Sequence, residues 1–212
     1  MERNFIDLQQ NTQEWWDNKL KRVTASYASN LFAGKLSDSY KINLVDRVAY
    51  EIVHNECIES SFYGNGSTER GHIMEPLAAR RYENITMRKC TNGGFHTYGD
   101  LIGCSVDRNL EDINGNKISG AVEIKCFEHL HHEKIVLNPE IFVSELYNQV
   151  QYQLYATGYE FIDIFAYHPN YKDVKNTILP DDNHFEKLEK ELDTLKKAIE
   201  IQVMIKQSIK RN

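Results

Sequence analysis

A chain of 212 residues with a hydrophobic fraction of 41% can build one sizeable core and lies outside the composition of disordered chains. Its net charge of −6 argues against a protein that simply coats nucleic acid, though not against an enzyme whose carboxylates hold cations against a substrate backbone. No run approaches membrane-spanning length, and Glu2, Asp7 and Glu14 interrupt any signal-like stretch in residues 1–30, so a cytoplasmic protein with no membrane contact is expected.

The spacing predicts a short helix over 12–20, opening near Thr12 and carrying Trp15 and Trp16. Thr24-Ala25-Ser26 offers capping hydroxyls for a second short helix that ends near Gly34. Ser37 or Asp38 caps a helix through 40–55, where Ile42, Val45, Val48, Ala49 and Ile52 recur at helical spacing. Gly64-Asn65-Gly66 reads as a turn, and a helix starting at Ser67 or Thr68 runs to about Asn84. Strands over 94–98 and 100–107 join at Gly99-Asp100. The Asn-Gly signal in Asp112-Ile113-Asn114-Gly115-Asn116 predicts a hairpin of strands 100–107 and 118–127.

A helix over 140–157 ends at Gly158, and a strand over 160–167 follows. The helix 183–209 carries Phe185, Leu188, Leu192, Leu195 and Ile199 as a stripe that packs on the domain core. This order describes an α/β fold with a central mixed β-sheet flanked by helices. The whole chain, 1–212, reads as one domain: N-terminal helices 12–55, a core 67–167 and the helix 183–209.

Asp107 and the stretch Gly120-Ala121-Val122-Glu123-Ile124-Lys125-Cys126-Phe127 carry the chemistry. Side chains alternate across a strand, so Glu123 and Lys125 share one face while Val122, Ile124 and Cys126 share the other. Two carboxylates and an ammonium at a strand edge suit a hard divalent cation and a water held beside it. A surface Glu and Lys on a half-exposed strand is the plainer reading of these residues alone.

Cys57, Cys90, Cys104 and Cys126 form no CxxC pair and read as structural thiols. In Glu128-His129-Leu130-His131-His132-Glu133, helical spacing puts His129 and His132 on one face, which reads as a solvated or DNA-proximal face and not a zinc site. Lys19-Leu20-Lys21-Arg22, Arg80-Arg81 and Arg88-Lys89 are candidate contacts to a phosphate backbone. Asp181 and Asp182 read as turn and capping residues.

Four further segments narrow the reading. They are Trp15 with Val23-Thr24-Ala25-Ser26, Gly71-His72-Ile73-Met74-Glu75-Pro76, Gly103-Cys104-Ser105-Val106-Asp107, and Tyr147-Asn148-Gln149-Val150-Gln151-Tyr152-Gln153-Leu154. In this order they resemble the phage lambda exonuclease family, also called YqaJ-type viral recombinases, within the PD-(D/E)XK nuclease superfamily. The resemblance implies a restriction-endonuclease-like core. It also implies Mg²⁺-dependent 5′-to-3′ digestion of one strand of linear duplex DNA, leaving 3′ overhangs for phage-type recombination. Two ions (Mn²⁺ substituting), a ring-shaped homotrimer, a single-strand annealing protein as partner and a bacterial host cytoplasm belong to the same expectation.

Position by position, the resemblance makes Asp107 the bridging metal ligand and Glu123 the second metal carboxylate, with Ile124 and Glu75 completing the metal shell. Lys125 orients or deprotonates the attacking water, and Gln149 helps to position it. Ser26 and Ser105 hold a terminal 5′-phosphate. The family's phosphate-clamping arginine falls on Lys19, which keeps the charge and loses the bidentate fork, with Arg22 close enough in sequence to substitute. Val106 replaces a common proline, and Arg108 replaces a glycine and is expected to touch the DNA backbone. The competing readings are an endonuclease of the same superfamily, restriction-like or junction-cleaving, and a non-catalytic DNA clamp or scaffold.

Overall fold

A computed structural model of the chain describes residues 1–27, 38–57 and 66–210. In chain order the elements are β1 (Arg3–Ile6), α1 (Gln13–Lys19), β2 (Val23–Thr24), α2 (Asp38–His54) and α3 (Gly66–Thr86). Next come β3 (Lys89–Asn92), β4 (Phe95–Tyr98), β5 (Ile102–Cys104), β6 (Arg108–Glu111) and β7 (Lys117–Lys125). The chain closes with α4 (His129–Leu137), α5 (Pro139–Thr157), β8 (Phe161–Ala166), β9 (Val174–Ile178) and α6 (Asp182–Ile209).

The expected central sheet is split in two. Among the described residues one mixed sheet runs β1-β4-β5-β2 and the other β3-β6-β7-β8-β9. The predicted hairpin therefore has a different first strand: β7 pairs with β6, while β5 pairs with β4 and β2 in the other sheet. Residues 105–107 carry the chain from one sheet to the other, so Asp107 sits at the junction and not at the end of a long strand.

Packing follows the alternation of β7 and β8. Ala121, Ile162 and Ile164 face Phe142, Leu146, Val150 and Leu154 of α5. Val122, Ile124 and Phe165 face Ala78, Ala79 and Tyr82 of α3. Helix α5 begins with Pro139, whose fixed φ suits a first helical turn, and stops at Gly158, which adopts φ 74°. Its other side joins α2 and α6, where Tyr152 and Tyr155 pack with Leu44, Val48, Leu188, Leu192, Leu195 and Ile199. The α6 stripe thus lies on the core. Asp181 caps α6, accepting from the Asn183 and His184 amides.

Ser37, the expected turn at Gly64-Asn65 and the part of the expected short helix from residue 28 to Gly34 lie outside the described residues. No described helix is long and apolar enough to cross a membrane.

Candidate active site

Strand β7 brings Glu123 and Lys125 together: the Lys125 ammonium donates to Glu123 Oε1 at 2.6 Å. Glu123 is 3% exposed, and a carboxylate buried this deeply must be paired and hydrogen-bonded. Gln149 donates to Oε1 at 2.7 Å and Gln153 to Oε2 at 2.8 Å, both from α5. Gln153 also donates to the Ser105 carbonyl at 3.0 Å. Sequence reasoning quoted Gln153 and gave it no role. Its spacing of four from Gln149, which puts both on one helix face, is the signal that could have found it.

Asp107 enters from the sheet junction. The last β7 residue paired with β6 in this region is Val122, opposite Arg108. Beyond it the Ile124 amide has no strand partner on that side, and it donates to Asp107 Oδ2 at 2.6 Å. A strand residue's N–H and C=O share one edge, so the Ile124 carbonyl faces Asp107 as well. The Ile124 side chain packs in the core, which leaves that carbonyl as the oxygen it can offer.

Glu75, on α3, is bound by Arg108 at 2.6 Å. Arg108 donates as well to the Asp107 carbonyl at 2.6 Å, so its guanidinium turns inward, toward the cleft that holds Asp107. A cleft of about 530 Å³ opens here, lined by Arg70, Glu75, Asp107, Lys125, Phe127 and His131.

Three carboxylates face two cations in this cluster, and the charges respond. Burial and the Glu123 carboxylate push the Asp107 carboxyl well above its ordinary range, against the pull of Lys125. Burial draws the Lys125 ammonium down, but Glu123, Asp107 and Glu75 outweigh it and hold its pKa above the ordinary lysine value. Lys125 therefore stays protonated and acts as a hydrogen-bond donor in this arrangement.

Among the described residues, no three His, Cys, Asp or Glu side chains group as ligands of one metal. Glu75, expected in the metal shell, is thus not grouped with Asp107 and Glu123 as a third side-chain ligand and is paired with Arg108 instead. Mg²⁺ is held by one or two carboxylates and keeps several waters, and the donor chemistry of Asp107, Glu123 and the Ile124 carbonyl fits it. The oxygen-only donors point the same way.

The residues expected at a 5′-phosphate are partly assembled. Trp15 Nε1 donates to Ser105 Oγ at 2.8 Å, and an indole N–H can only donate, so the Ser105 hydrogen is left to point elsewhere. The Lys19 ammonium lies over the rings of Trp16, at 4.9 Å, and Trp15, at 5.3 Å. Exposed Ser26 follows β2 and Ser105 follows the parallel strand β5, so both leave the same end of that pair. Arg22 Nη1 donates to the Asn18 and Leu20 carbonyls at the end of α1.

Other candidates resolve differently. His132 is fully buried and donates to the Lys172 carbonyl at 2.9 Å, so the histidine run is not a uniformly solvated face. His131 pairs with Glu145 at 3.0 Å. Arg81 pairs with Asp173, and Arg88 with the buried Asp163. Among the described residues, Cys57, Cys90, Cys104 and Cys126 form no disulfide.

Known proteins share this arrangement at the level of fold. The alkaline exonuclease LHK-Exo of Laribacter hongkongensis, also crystallised with dAMP, superposes with a TM-score of 0.75 at 22% identity, over 93% of this chain and 97% of that one. A phage-related exonuclease from Haemophilus somnus superposes at 0.58 with 12% identity, over 97% of both chains. No curated protein matches the chain in sequence. The family model described as "YqaJ-like viral recombinase domain" matches residues 14–160, a span that holds Trp15, Ser26, Glu75, Asp107, Glu123, Lys125, Gln149 and Gln153. The chain belongs to the YqaJ-like viral recombinase domain family.

Proposed function

We propose that the protein is a Mg²⁺-dependent exonuclease that degrades one strand of linear duplex DNA from its 5′ end and leaves a 3′ single-stranded tail. One observation carries the reading: Glu123 and Lys125 sit side by side on β7, with Asp107 held against Ile124 between them. The cleft beside them gives a DNA strand access. A fold relative crystallised with dAMP supports a site that releases single nucleotides.

A divalent ion held by Asp107, Glu123 and the Ile124 carbonyl would acidify water and offset phosphate charge, and Mn²⁺ would substitute for Mg²⁺. Gln149 and Gln153 fix the Glu123 carboxylate so that it cannot swing toward solvent. The Lys125 ammonium, 2.6 Å from Glu123, orients the attacking water and stabilises the negative charge that develops on the phosphate. The hydroxyls of Ser26 and Ser105, with the Lys19 charge, anchor the terminal 5′-phosphate. Family membership supports a homotrimer and an annealing protein as partner, acting in a bacterial cytoplasm.

The test is digestion of linear duplex labelled at the 5′ or the 3′ end, with Mg²⁺ or chelator, beside covalently closed circles. The 5′ label should be released first, only with metal, and the circles should survive. Nicked circles would make it an endonuclease. No cleavage of any substrate would leave a DNA-binding scaffold.

A further inference from the structure

Arg108 opens β6 directly after Asp107, and strand pairing fixes its root between Asn92 of β3 and Val122 of β7. Its Nη1 reaches Glu75 Oε1 at 2.6 Å and the Asp107 main-chain carbonyl at 2.6 Å. The side chain is 25% exposed, so most of its charge is spent inside the protein. Glu75 lines both the cleft that holds Asp107 and Lys125 and a neighbouring one of about 560 Å³ that Arg108 lines. The guanidinium thus stands where two clefts meet, against the one carboxylate of the cluster that β7 and α5 do not hold.

We propose that Arg108 takes the place of a second metal ion, so that each chain binds one divalent cation, on Asp107, Glu123 and the Ile124 carbonyl. This rests on the metal-dependent function proposed above. A guanidinium stays protonated under all ordinary conditions, so its charge beside Glu75 is permanent. Two-ion sites need carboxylates on both sides of a bridging aspartate, with the ions about 4 Å apart. Here Glu123 is available on one side, while Glu75 is engaged in a charge-assisted bond at 2.6 Å. A second ion would have to break that bond and enter beside a fixed positive charge. The guanidinium supplies that charge to the DNA phosphate itself.

Mn²⁺ titration of the full chain, read by calorimetry and by electron paramagnetic resonance, tests the proposal without any nuclease assay. The wild type should bind about one ion with the signal of an isolated Mn²⁺, and Arg108→Gln about two with a spin-coupled signal. Arg108→Lys, which keeps the charge, should stay near one. Two coupled ions in the wild type would overturn the assignment while leaving the proposed function standing, and this result needs no variant to fold. A folded Arg108→Gln that still binds a single ion would also overturn it. Absence of Mn²⁺ binding at any concentration would overturn the inference and the metal-dependent function together.

Discussion

Gln153 gives one amide group to two partners, Glu123 Oε2 at 2.8 Å and the Ser105 carbonyl at 3.0 Å. A helix residue therefore couples the end of β5, in one sheet, to the buried carboxylate of β7 in the other. Gln153 is itself 1% exposed, so its amide has no freedom to turn away.

Replacing Gln153 by Leu keeps the volume and removes the donor. One oxygen of a buried carboxylate loses its partner, at a cost of about 1–3 kcal/mol. Loss of such an outer partner should also weaken Mn²⁺ binding by about 10–100-fold. Denaturant melts and calorimetric titration read the two effects. Unchanged affinity in a destabilised protein would reduce Gln153 to a packing role.

Gly93 precedes β4 where the chain crosses beneath the sheet junction. A Cβ there would lie 1.8 Å from the Val106 carbonyl oxygen and 2.9 Å from that of Asp107, both rigid main-chain atoms. Gly93→Ala must push the 105–107 segment aside, and with it the aspartate. We expect a loss of at least about 2 kcal/mol by urea denaturation, together with lost Mn²⁺ affinity. A variant of near wild-type stability and affinity would show that the junction is softer than its geometry suggests.

Much of this was legible in the sequence, for identifiable reasons. Helix 140–157 has a proline at its start, a left-handed glycine at its end and a dense apolar pattern, so its limits fall close to the observed Pro139–Thr157. The sheet split was hidden. Residues 100–107 look like one strand because Ile102, Cys104 and Val106 alternate with small residues, yet all three are buried on account of the junction and not of a single sheet face. Strand β1 carries the weak pattern Arg-Asn-Phe-Ile and exists because β4 offers it an edge. Strand β9 is an edge strand with only Val174 and Ile178 buried. At the site, the residues on β7 could be placed from period two alone. The Arg108–Glu75 bond joins residues far apart in the chain, so no local pattern encodes it.

Trp15→Phe tests the phosphate end of the site. The ring keeps its edge contact with Phe95, at 6.2 Å between centroids, and only the donor to Ser105 is lost. Stability should fall by about 1 kcal/mol. The rate advantage of 5′-phosphorylated over 5′-hydroxyl ends should shrink, because the Ser105 hydroxyl loses the bond that aims it. An unaltered ratio would place the phosphate elsewhere.

Acid should destabilise the fold through His96. Burial lowers its pKa from 6.5 to about 4, against the upward pull of the Gly93 carbonyl. A folded value below the unfolded one means that the unfolded chain takes up the proton first as pH falls. The neutral ring's contribution is complete above pH 6.5 and is lost as pH drops toward 4, up to about 3 kcal/mol for this residue at 4% exposure. Urea midpoints for wild type and His96→Gln at pH 7 and pH 4.5 check this. The variant should show the smaller acid loss, and equal losses would exonerate His96.

The account stands or falls on Asp107 as a charged metal ligand. Asp107→Asn retains an oxygen to accept the Ile124 amide and removes only the charge, so the fold should survive. The decisive measurement is the rate of 5′-nucleotide release from linear duplex by this variant across a Mg²⁺ titration. We predict a fall of about 10³-fold or more that added Mg²⁺ does not rescue, with thermal unfolding close to wild type. Hydrolysis at the wild-type rate by a folded Asp107→Asn protein would contradict the assignment of this site.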